Sequence, residues 1–79
     1  MFLKSPKRTY IIELDEKLAT RVIAKCKQMT DADLQKHIDS NFKKANFLGG
    51  KNKGGAWKEG RMYRDKAKIG ILELDKRRY

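Results

Sequence analysis

Trp57-Lys58-Glu59-Gly60-Arg61-Met62-Tyr63-Arg64-Asp65-Lys66-Ala67-Lys68-Ile69-Gly70-Ile71-Leu72-Glu73-Leu74 is the stretch whose backbone decides the fold. Ile69 and Ile71 fall on one side of an alternating pattern and Leu72 and Leu74 on the other, the period of two that marks a strand. On this reading Trp57 to Arg64 and Lys68 to Leu74 are two strands, joined by a turn at Asp65-Lys66. Arg61 and Tyr63 then share one sheet face, and Met62 and Arg64 the other.

Outward from this stretch, Thr9 to Leu14 reads as a further strand, with Tyr10, Ile12 and Leu14 on one face and Ile11 and Glu13 on the other. Residues 1–8 form a basic lead that contains Pro6. Asp15 suits a helix N-cap with Glu16 in the first turn, and Leu18, Val22, Cys26 and Met29 make one apolar stripe. Lys17, Arg21, Lys25 and Lys27 lie largely off that stripe, in solvent. A second helix starts at Thr30, where Thr30-Asp31-Ala32-Asp33 resembles a capping box with Asp in place of Glu. Leu34, Ile38, Phe42 and Ala45 form its buried stripe, and Gly49-Gly50 end it. The expected fold is α+β: a small single domain, β-α-α-β-β, with two helices packed on one face of a short antiparallel sheet. Ile11-Ile12-Glu13-Leu14-Asp15 and Ile71-Leu72-Glu73-Leu74-Asp75 match at four of five positions. The pattern predicts two neighbouring strands under similar packing demands.

At 79 residues, 39% of them hydrophobic, the chain supports one small core, and a homodimer would give that core more area. Twenty basic residues against ten acidic ones leave a net charge of +10, which favours a negative partner. No apolar run approaches the roughly 20 residues needed to span a bilayer, and the start is too weakly apolar for a signal peptide, so no membrane role is expected. A single cysteine, Cys26, cannot pair within the chain, which fits the reducing cytoplasm. One histidine and one cysteine give no ligand cluster, and Asp31, Asp33 and Asp39 suit a helix N-terminus, so neither a metal nor another cofactor is expected. Cys26 on the apolar stripe reads as inert core, and His37 as a packing residue at a stripe edge. No catalytic residue is assigned.

The charge is unevenly placed. Residues 1–29 carry seven basic and three acidic side chains, residues 30–46 three of each, and residues 47–79 ten basic and four acidic. From residue 40 to residue 58 there is no acid. Within that span a Gly/Lys-rich loop over 47–60 offers Lys51, Lys53 and Lys58 to phosphates, while Trp57 serves either as a stacking face or as core. The loop lacks the Lys-Ser/Thr of a phosphate-binding P-loop. A second cluster combines Arg61, Arg64, Lys66 and Lys68 with Tyr63, a basic aromatic face suited to single-stranded RNA or DNA or, alternatively, a charge-protected sheet edge. Lys76, Arg77 and Arg78 make a basic tail over 76–79.

These features favour a nucleic-acid-binding protein, for RNA or DNA, with backbone-dominated contacts and weak sequence preference. A phage- or plasmid-type regulator that docks on an acidic or nucleic-acid-binding protein would present the same surface, with Arg61, Tyr63 and Trp57 as anchors. The order of a strand, two helices and then Arg/Lys-rich strands also resembles the RelE/ParE-type toxins, some of which cut messenger RNA on the ribosome. That resemblance implies phosphate binding and transition-state stabilisation by Arg61, Arg64, Lys66 and Tyr79.

Overall fold

The structure, a computed structural model, describes residues 2–51 and 55–78, with side chains at 2–48 and 59–78. Two short strands, β1 (Phe2–Lys4) and β2 (Thr9–Ile11), precede three helices, α1 (Glu16–Gln28), α2 (Asp31–Lys51) and α3 (Gly55–Arg78). The expected β-α-α-β-β order is therefore wrong. The final stretch is one 24-residue helix, and the sheet is only a two-stranded hairpin at the other end of the chain.

Helical periodicity explains the correction. Asp65, Ile69 and Leu72 follow one another at steps of four and three, and Ala67, Gly70 and Leu74 at three and four. All six are buried. Two adjacent buried stripes on one helix look like strict alternation when only Ile69 to Leu74 is read. Length and composition arbitrate: residues 61–78 contain no proline, and half of them are Arg, Lys or Leu, which favour helix. The paired stripes bury α3 between α2 on one side and α1 with the hairpin on the other.

The helices expected after Asp15, with a stripe reaching Met29, and from Thr30 onward are present as α1 and α2. Ala19, Val22 and Cys26 of α1 are buried beside Leu34, Ile38, Ile69, Leu74 and Ile12 in one core. Asp15 occupies the N-cap position of α1 but makes no side-chain cap bond. Thr30 does cap α2, its Oγ1 accepting the Asp33 N–H at 3.2 Å. Gly49-Gly50 do not end α2, which runs to Lys51, and α3 starts at Gly55. The loop expected over 47–60 is thus replaced by helix on both sides of residues 52–54.

α2 and α3 run antiparallel, since His37 meets Lys66 and Gly70 while Lys44 meets Tyr63. Gly70 sets their separation. A methyl group at that position would lie 2.8 Å from Ile38 Cγ1 and 2.9 Å from the His37 ring. A mid-helix glycine costs about 1 kcal/mol relative to alanine, and the close approach of α2 is the reason for it here.

The basic lead also contains more structure than its composition suggests. Leu3 pairs with Tyr10 facing the core, and Phe2 pairs with Ile11 facing solvent. Ser5, Pro6, Lys7 and Arg8 make the turn: Ser5 N–H donates to Arg8 O at 2.8 Å, and Ser5 Oγ accepts from the N–H groups of Lys7 and Arg8 at 3.3 and 3.2 Å. The two matching pentapeptides do not form neighbouring strands. Residues 11–15 leave β2 and reach the α1 N-cap, whereas residues 71–75 are helical.

Candidate nucleic-acid interface

The single long helix α3 redistributes the predicted cations around its circumference. Arg61, Arg64 and Lys68 face the hairpin and the segment after it. Arg61 Nη1 lies 2.9 Å from Glu13 Oε2 in an exposed ion pair, and the Lys68 ammonium sits 5.5 Å over the Tyr10 ring. Arg61, Arg64 and Lys68 line a shallow depression with Ile11, Glu13 and Asp65. Two acids in that depression weaken its attraction for an anion.

Arg77 has a structural task. Its guanidinium reaches Asp31 Oδ1 at 2.9 Å and donates to the carbonyls of Cys26 and Lys27 at 2.9 and 3.2 Å, while Glu73 one turn back lies 3.7 Å away. The carbonyls belong to the last turn of α1, where a cation is favourable, and Asp31 opens α2. One side chain from α3 therefore joins the ends of two other helices. Asp75 does similar work for the hairpin, accepting from Ser5 Oγ at 3.0 Å and lying 2.8 Å from Arg8 Nε. That ion pair is poorly aligned for a hydrogen bond, leaving Arg8 Nε without a hydrogen-bond partner among the described residues. The Tyr10 hydroxyl, followed by the charge of Asp75, raises the Arg8 pKa against the opposing effect of burial. Asp65 completes the set by accepting the Glu13 N–H at 3.0 Å. Lys76 borders a small cavity of about 50 Å³ beside Leu3, Lys4, Ile23, Cys26 and Glu73. Arg78 is exposed in the last turn of α3.

Of the predicted residues whose side chains are described, Tyr63 and Lys66 alone enter a second basic concavity. This groove, about 390 Å³, runs across all three helices. Arg21 and Lys25 come from one face of α1, Lys44 from α2, and Tyr63 and Lys66 from α3, with no acidic residue among the described residues of its lining. Among the described residues no ion pair holds any of the four cations. The Lys44 and Lys66 ammonium groups each lie 5.3 Å from the centre of the Tyr63 ring, within cation–π range.

His37 and Asn41 form the polar part of the groove wall. His37 Nε2 is 2.9 Å from the Lys66 carbonyl, which only accepts, so Nε2 carries a proton. In the neutral ring Nδ1 then accepts from Asn41 Nδ2 at 3.2 Å, and the same amide also donates to His37 O at 2.7 Å. Both histidine nitrogens are engaged, an arrangement that positions the ring and leaves neither nitrogen poised as a base. Cys26 is buried, and desolvation first, then the charge of Glu73, raises its thiol pKa from 9.0 to about 11 against the opposing charge of Arg77. It stays protonated at neutral pH and lacks thiolate reactivity. Among the described residues no group of three His, Cys, Asp or Glu side chains is placed to hold a metal ion.

Of the loop residues expected to bind phosphate, Lys53 lies outside the described residues, as does Tyr79 at the tail. Lys51, Trp57 and Lys58 have helical backbone, but their side chains lie outside the described set. Sequence reasoning missed Arg21, Lys25 and Lys44. The signal was present as Arg21/Lys25 and His37/Asn41/Lys44, polar residues at steps of four and three along one face of each helix. It acquires meaning only when three helix faces are placed together.

The RelE/ParE resemblance loses its basis, because it depended on Arg/Lys-rich strands that are a helix. Comparison with protein-family models, with curated proteins and with solved structures finds no match in any of the three. No described helix is long and apolar enough to cross a membrane.

Proposed function

We propose that this protein binds nucleic acid through the groove formed by Arg21, Lys25, Lys44 and Lys66. The observation that carries the proposal is the convergence of four cations from three helices on a concavity with no acid among its described lining residues. Elsewhere in the described chain Arg8, Arg61 and Arg77 are matched to carboxylates, and the other cations there are not gathered into this concavity. Four unmatched charges in one place repel one another and cost stability, a cost that a polyanion relieves by binding. Backbone contacts supply affinity by counterion release and carry no direct sequence information, so weak sequence preference follows.

The test is a salt titration of binding to a labelled oligonucleotide, followed by anisotropy. Each groove cation that contacts a phosphate contributes about 0.7–0.9 to the slope of log K against log salt. Lys44→Gln and Lys66→Gln should each lower the slope by about that amount, and Arg78→Gln should change it less. Absence of binding to any nucleic acid at low salt would refute the proposal and transfer the groove to an acidic protein partner.

A further inference from the structure

We infer that the groove takes the phosphate backbone of double-stranded nucleic acid, with Tyr63 holding two lysines in place and not serving as a platform for unstacked bases. The inference rests on the groove being the nucleic-acid site and specifies which form of nucleic acid fits it.

Three observations carry it. Lys44 and Lys66 both sit 5.3 Å from the Tyr63 ring centre, so their ammonium groups are at most about 10.6 Å apart, twice that distance. A base stacking on a face of Tyr63 that either ammonium covers must displace that cation, and the stacking it gains is of the same order as the cation–π contact it breaks. A phosphate requires no such exchange, because Lys44 and Lys66 already line the groove.

The histidine and amide donors of the groove wall are engaged with neighbouring groups. His37 is bonded at both nitrogens, and the Asn41 amide nitrogen is bonded to His37. Single-strand recognition depends on splaying bases onto aromatic rings and hydrogen-bonding their edges. These donors are not free for that purpose, and the ring already carries two cations.

The cations are also mounted on three packed helices and are not carried on one pliable segment. Such a fixed array gains most from a stiff polyanion that presents charge densely. A duplex presents one charge per about 1.7 Å of axis, against about 3.4 Å for one of its strands.

The experiment compares the full chain with a single strand, a DNA duplex and an RNA duplex of one sequence and about 20 nucleotides, each over a range of salt. The two duplex arms distinguish the two sources of the same phosphate geometry. At least one duplex should bind about tenfold tighter than the single strand. Tyr63→Phe should leave every affinity within about twofold, since the ring and its cation–π contacts persist. Tyr63→Leu should weaken duplex binding severalfold without a selective loss on the single strand.

Tighter binding to the single strand, or a Tyr63→Leu loss confined to it, would overturn this inference while leaving the groove as the site. No effect of Lys44→Gln and Lys66→Gln on any of the three ligands would instead remove the groove itself. Circular dichroism of each variant identifies one that has lost its fold, and Tyr63→Phe keeps the test valid if Tyr63→Leu does so.

Discussion

The groove and the C-terminal clamp use the same side-chain chemistry for opposite ends. In the clamp, Arg77 is held by Asp31, Glu73 and two carbonyls, and Arg8 by Asp75 and Tyr10. In the groove, Arg21, Lys25, Lys44 and Lys66 face one another across open volume with no ion-pair partner among the described residues. A matched cation fastens helices together, whereas an unmatched cluster imposes self-repulsion that a ligand can remove. The distinction lies in which residues stand opposite, and composition does not record that.

The comparison predicts that clamp substitutions cost stability and groove substitutions cost binding. The largest effect should come from the combined Arg21→Gln, Lys25→Gln, Lys44→Gln and Lys66→Gln variant, which should lose affinity by about 10²–10³-fold near physiological salt while its urea midpoint stays the same or rises. Next comes alkaline pH. Because burial raises the Cys26 thiol pKa to about 11, the folded state keeps its proton while the unfolded chain ionises from pH 9.0 upward. Stability present below pH 9.0 should therefore fall as pH rises toward about 11, by about 2–3 kcal/mol from this group. Urea unfolding at pH 8 and at pH 10.5 should show a steeper loss in the natural chain than in Cys26→Ala.

Arg77→Met removes the clamp's hydrogen bonds to charged and carbonyl groups and should cost about 2 kcal/mol, visible as a Tm lowered by about 8–16 °C with an unchanged salt slope of binding. Gly70→Ala is the finest probe. It gains about 1 kcal/mol of helix propensity but pushes Ile38 and His37 away, an overpacking cost of about 1–3 kcal/mol. A net loss of about 1 kcal/mol by urea unfolding is expected. A gain would show that α2 and α3 separate easily and that the groove has no fixed width.

The first two helices were legible because each carries one apolar stripe and a recognisable start. The third was not, because two buried stripes mimic a strand's alternation over Ile69 to Leu74, and no single-stripe template fits a helix packed on two sides. The two pentapeptides state the difficulty most directly: Glu13-Leu14-Asp15 and Glu73-Leu74-Asp75 are identical yet adopt different backbones, so tertiary contacts decide. The basic character of the site was legible in the net charge, but its location was not. Arg21 and Lys25 look like ordinary solvated positions until Lys44 and Lys66 are brought opposite them by packing around Gly70. Arg77, which sequence placed in a binding tail, is engaged within the fold by residues about 50 positions away.

Ser5 and Asp75 touch at 3.0 Å although 70 positions separate them, so this contact closes the stretch between them into a ring. A covalent bridge across that junction would remove chain entropy from the unfolded ensemble equivalent to about 4 kcal/mol, provided it fits without strain. The same geometry sets a mechanical response. Force applied across residues 5 and 75 loads the Ser5–Asp75 and Arg8–Asp75 contacts first, so the hairpin should peel from α3 before the antiparallel α2–α3 pair gives way, leaving the Lys44–Tyr63–Lys66 cluster intact in the first extended intermediate.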